Sequence, residues 1–214
     1  GGNSISLDGG WFHKKSYLHE MWLDGQYMGP AMLAQLIKGY SSYTQISSND
    51  WELITKQFTI VWNMCWDDTQ KLLYHAFCSE PRSKTWAAKA EIWTEAQTNT
   101  SSWRGMSAAG HSAAFWGRAE GWYFLALVDV LEQMQIAGLD SESDPNHSCY
   151  TTLKDYLDKL AAGIMAKQDA TGCWYQLIAE NGDYSASYYG GKSYSATSNY
   201  LESSCTAIFT AAYL

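Results

Sequence analysis

Three short steps recur along this chain, each placing a polar ring or amide directly after an aromatic: Trp11-Phe12-His13, Leu73-Tyr74-His75 and Trp174-Tyr175-Gln176. Two of them follow a turn, Asp67-Asp68-Thr69 and Asp169-Ala170-Thr171-Gly172. Their intervals are about one and two multiples of a unit of roughly 50–60 residues, with helical periodicity between them. A helix pair of that length cannot bury its apolar face alone and must stack on its neighbours. Closed into a ring, such pairs form an all-α toroid whose loops gather at one end as a cleft. The bland alternative is a solenoid whose aromatics cap the stack and do no chemistry.

The spacing of apolar residues predicts five helices. Met28 to Ile37 reads as the first, with Pro30 at a tolerated early position and Gly39 as its stop. Asn49 with Glu52 makes a capping-box start for a second, running to about Trp66. The others are expected over Ala113 to Met134, over Thr151 to Lys167, and from Asn199 onward, where Glu202 would complete another capping box. Strand signals are confined to short pieces such as Lys71 to Phe77.

The 214 residues suit a single domain over 1–214. Eleven Trp and 15 Tyr exceed the usual needs of core packing, and indole and phenol faces stack well on sugars; a large aromatic core explains them equally. The net charge of −8 comes without a basic stripe, which argues against nucleic acid as a partner. No apolar run is long enough to span a membrane, and Gly1-Gly2-Asn3-Ser4 is no signal peptide. Cys65, Cys78, Cys149, Cys173 and Cys205 lack CxxC or metal-type spacing and read as reduced thiols, so no metal is expected and both cytoplasm and periplasm stay open. The chain starts without Met and stops inside an apolar helical pattern, so it reads as a fragment with exposed helix faces prone to association.

Chemistry concentrates in two segments. In Met21-Trp22-Leu23-Asp24-Gly25, Asp24 is placed on a loop or turn ahead of a helix, with Trp22 projecting to the same side. A carboxylate beside an indole is a device for raising a pKa, as a general acid requires; an Asx-turn is the plain alternative. In Phe115-Trp116-Gly117-Arg118-Ala119-Glu120-Gly121-Trp122-Tyr123, Arg118 and Trp122 share a helix face. The pair could clamp a sugar carboxylate and stack beneath its ring, or Arg118 could simply pair with Glu120 while Trp122 enters the core.

Four motifs appear in order: Trp22-Leu23-Asp24-Gly25 with Tyr27-Met28, Tyr74-His75-Ala76-Phe77, Phe115 through Trp122, and Asn199-Tyr200-Leu201-Glu202-Ser203-Ser204. Together they resemble the unsaturated rhamnogalacturonyl hydrolases and the related unsaturated glucuronyl hydrolases. The resemblance implies part of an (α/α)6 barrel, incomplete, with N-terminal helices missing. It also implies hydration of a terminal 4,5-unsaturated uronic acid without metal or organic cofactor. Asp24 matches the catalytic acid/base and Trp22 the indole beside it. His13 and His75 match cleft histidines, and Arg118 and Trp122 the residues that bind and stack the uronyl unit. Unsaturated uronyl oligosaccharides would be the partner, pectin-derived ones favoured, with the oligomeric state open. Cys78 stands where the family usually has Asp, and the family's second active-site Asp is expected upstream of Gly1. Those departures keep alive a non-catalytic carbohydrate-binding protein on the same scaffold.

Overall fold

Helices dominate, as the periodicity requires. The computed structural model describes residues 9–13, 20–40, 49–78, 111–112, 115–179 and 199–214, the side chains of 38–40, 49 and 78 excepted. A strand, β1 (Glu20–Trp22), runs into α1 (Asp24–Gln26), a π-helical turn (Tyr27–Ala31) and α2 (Met32–Tyr40) without a break. Then come α3 (Asn49–Cys65), β2 (Trp66–Asp67), β3 (Leu72–Leu73), β4 (Ala76–Cys78), α4 (Gly117–Ile136), α5 (His147–Met165) and α6 (Ser203–Tyr213). No described helix is long and apolar enough to cross a membrane.

Several starts differ from the sequence expectation, each for a local reason. The first helix opens at Asp24 rather than Met28, and widens to a π turn where Pro30 removes one N–H. Gly29 packs closely there: a Cβ would lie 3.0 Å from the Trp11 ring, which would have to give way slightly. Helix α2 also runs one residue past Gly39, the expected stop. Helix α4 begins at Gly117 because Trp116 is held extended by a bridge to Leu177. Helix α6 begins at Ser203, so the expected capping box at Asn199 does not form. The Asn199 amide instead grips Leu177, accepting its N–H at 3.0 Å and donating to its carbonyl at 3.0 Å. Helix α4 ends in a Schellman turn: Gly138 has φ +85, Leu139 donates to Met134 O, and both apolar side chains are buried.

Helix α4 lies at the centre, touching α1, α2, α5 and α6, with Ala119, Tyr123, Ala126, Leu127, Val130 and Met134 all buried. Tyr123 also donates to the Phe58 carbonyl at 3.1 Å, which ties α4 to α3. Trp62 stacks on Trp66 and on Tyr156, each at 4.2 Å, and closes the α3–α5 seam. Met28, Met32 and Leu36, four residues apart, are exposed to solvent. Cys65, Cys149, Cys173 and Cys205 are free thiols.

The repeat seen in the sequence is visible in the backbone. Asp67 accepts the N–H groups of Thr69 and Gln70 and the Tyr74 hydroxyl. In the same way Asp169 accepts the Thr171 N–H and hydroxyl and the Tyr175 hydroxyl. β4 pairs antiparallel with β1 on one side, Trp22 opposite Ala76, and bridges to His111 on the other. The stretch around Tyr175 pairs with Trp116 through Leu177 and with Leu201 through Tyr175. Extended backbone thus runs as a ribbon where α3 and α5 end and α1, α4 and α6 begin. Leu23 N–H donates to His75 O at 2.9 Å, and Gly117 N–H to Gln176 O at 2.8 Å: each chain enters its helix bonded to the following repeat.

Candidate active site

The extended stretches and the helix starts beside them carry the residues singled out from the sequence. Asp24, the first residue of α1, is 9 % exposed, and its Oδ2 has no hydrogen-bond partner among the described residues. Burial raises its pKa above the ordinary carboxylate value; its own backbone N–H and the charge of Arg118 pull the other way without cancelling the shift.

Trp22, at the end of β1, donates its Nε1–H to Glu20 Oε2 at 2.8 Å, and His13 stacks on it with centroids 4.5 Å apart. His75 meets Trp22 edge-on at 6.1 Å and Trp116 edge-on at 6.0 Å. Arg118 places its Cζ 4.5 Å from the centroid of Trp116, and its Nη1 lies 3.2 Å from Glu202 Oε1. Trp122, one turn beyond Arg118 on α4, lies against Tyr27 at 5.0 Å. His13, Trp22, His75, Trp116 and Arg118 therefore form a continuous run of ring and cation–ring contacts, with Asp24 within the field of Arg118, while Trp122 meets Tyr27. A small cavity of about 120 Å³ opens next to His13, lined among others by Trp11, Gln26, Gly29 and Gln57. Gln57 holds that edge in place by bonding the Trp11 N–H and the Gly9 carbonyl.

Glu120 is not the partner of Arg118. It is buried on the other side of α4, where its Oε1 accepts the Leu73 N–H at 2.7 Å, and burial pushes its pKa well up. Glu202 takes the role instead. Sequence reasoning missed it because Asn199 three residues earlier offered a capping box. Trp116 and Tyr27 were also missed, although each stands beside a residue that was chosen. Cys78 closes β4, and the contacts of its side chain lie outside the described residues.

The sequence model of Glycosyl Hydrolase Family 88 matches residues 3–214. The chain belongs to that family. The family 88 chain is also similar to a glycoside hydrolase from family 105 of C. acetobutylicum, with TM-score 0.69, 28 % identity, 99 % of this chain and 46 % of that one covered. A glycosyl hydrolase family 88 structure from Bacteroides vulgatus shares the fold at TM-score 0.56, with 18 % identity over 94 % of this chain and 42 % of that one. The 24.9 kDa protein in picA locus of Rhizobium radiobacter is 33 % identical over 107 residues, 50 % of this chain. The match spans 36 % of that relative's length. The all-α expectation holds for the family 88 chain, and its helices are those of part of an (α/α)6 barrel. The short strands among the described residues, two separate two-stranded sheets, are an addition to that class.

Proposed function

We propose that the protein hydrates terminal 4,5-unsaturated uronyl groups of oligosaccharides, with Asp24 as general acid and base. The observation that carries this reading is a buried carboxyl of raised pKa at a helix start, within the field of a cation that caps a run of aromatic contacts. A raised pKa keeps a proton on Asp24 at pH values where an exposed aspartate has lost it, so the group can deliver that proton to C4 of the enol ether. Water then adds at C5 and gives its proton back to Asp24. The resulting hemiketal opens and the glycosidic bond breaks, so no carboxylate nucleophile is needed, unlike in glycosidases that use a carboxylate pair. Arg118 supplies the charge that a sugar carboxylate seeks, and Trp122 with Tyr27 an aromatic surface for the ring. His13, Trp22 and His75 frame the unsaturated sugar. Family membership supports the class of reaction. The likeness of Phe115 to Tyr123 to the rhamnogalacturonyl branch supports pectin-derived substrates.

The test follows the ultraviolet absorbance of the conjugated double bond in lyase-generated oligosaccharides. Absorbance is expected to fall with wild type and to fall about 10²–10⁴ times more slowly with Asp24→Asn. An undiminished rate in that variant ends the assignment. Binding without turnover would instead support a carbohydrate-binding protein, the reading that Cys78 in the place of the usual Asp favours.

A further inference from the structure

Glu202 precedes α6 in extended conformation, with φ −98 and ψ 118, and is pinned from several sides. Its N–H donates to Trp174 O at 2.9 Å, and its carbonyl accepts the Thr206 hydroxyl at 2.8 Å. Its carboxylate accepts the Ser204 hydroxyl and faces Arg118, while its side chain is only 6 % exposed against 40 % for that of Arg118. One member of the pair is thus built into the wall and the other reaches out from it. A guanidinium has five N–H donors in a fixed plane, so a single carboxylate occupies part of it and leaves the rest available. The Trp116 face supplies a second anchor.

We propose that Glu202 is the positioning residue of Arg118, holding the guanidinium over Trp116 so that its remaining donors are set for a sugar carboxylate. The proposal rests on the uronyl reading for the identity of the ligand but not for the ion pair itself. It also assigns Glu202 an electrostatic part. Among the described residues, the charged groups acting on or facing Arg118 are Asp24 from α1 and Glu202 ahead of α6, and His75 meets Trp116 edge-on. Removing the negative charge of Glu202 leaves Arg118 less balanced, and its pull on Asp24 grows.

Glu202→Gln, Glu202→Asp and Ser204→Ala are compared with wild type on lyase-generated oligosaccharides, and the Arg118 Nε–Hε resonance is followed by NMR without substrate. Glu202→Gln is expected to raise KM about tenfold with kcat within about twofold, the pattern of lost ground-state binding. The alkaline limb of its pH profile should move to lower pH, and the Arg118 resonance should lose its restrained position. Glu202→Asp, which keeps the charge, should fall between wild type and Glu202→Gln. Ser204→Ala removes one anchor and should shift KM in the same direction, which keeps the test alive if Glu202→Gln fails to fold. An unchanged KM and an unmoved Arg118 resonance in Glu202→Gln would overturn the proposal. A wild type inert on every lyase product sinks the uronyl reading alone, because the resonance still reports whether Glu202 holds Arg118.

Discussion

Gly163→Ala offers a test in which even the sign is informative. In the middle of a helix, replacing Gly with Ala ordinarily stabilises by about 0.5–1 kcal/mol through backbone entropy. At Gly163 of α5 the new Cβ would lie 1.8 Å from the carbonyl oxygen of Lys71. A separation of 3.0 Å is the least that such contacts tolerate, so helix and hairpin must part by at least 1.2 Å. The obstacle is backbone, at a residue already in the left-handed region with φ 57, and it cannot swing aside as a side chain would. The neighbours are tied as well: Trp174 Nε1–H bonds Ile164 O at 2.8 Å, and Lys167 bonds Gln70 at 2.8 Å. A gap of that size forfeits at least a quarter to a half of the local dispersion contact, and overpacking typically costs about 1–3 kcal/mol. Against the entropic gain, a net loss of about 1 kcal/mol is expected, which lowers the urea midpoint by about 0.5 M. Because β3 leads directly into Tyr74 and His75, KM should rise too. An equal or higher midpoint, measured by equilibrium unfolding followed by tryptophan fluorescence, would refute the reasoning.

The remaining predictions concern charge. If protonated Asp24 is the acid, kcat/KM should fall as pH rises through its raised pKa, and Arg118→Ala should move that limb to higher pH by removing a cation that favours the anion; a limb that stays in place refutes this. Glu120 has its folded pKa raised by burial, so below the unfolded value both states hold the proton and its contribution is intact. As pH climbs from there to the folded pKa, the unfolded chain releases a proton that the native one retains, and stability falls. Glu120→Gln should flatten that decline in thermal melts taken across the same pH window.

The sequence marked more of the candidate site than of the helix boundaries. The candidates His13, Trp22, Asp24, His75, Arg118 and Trp122 could be named from it because local spacing and family-like motifs mark them independently of tertiary structure. Helix starts were less legible. Trp116 and Leu201 have helical neighbours but are drawn into extended pairing by Leu177 and Tyr175, contacts between residues far apart in sequence. Glu202 illustrates the same limit, since Asn199 three residues before it signals a cap locally, while the Asn199 amide is spent on Leu177. Asp24 moved from loop to helix for a related reason: the bond from Leu23 to His75 fixes the backbone just before it.

That bond has a wider consequence. His75 holds the backbone next to Asp24 through its carbonyl, just as Gln176 holds the backbone next to Arg118. The backbone just before Asp24 and just before Arg118 is therefore bonded in each case to a segment synthesised well after it. On a ribosome the two groups would be set late and in steps, first the carboxyl and then the guanidinium. In evolution the same lacing makes a loop exchanged in one repeat felt in the aim of the side chain before it, so specificity can drift without any residue of the pocket being replaced.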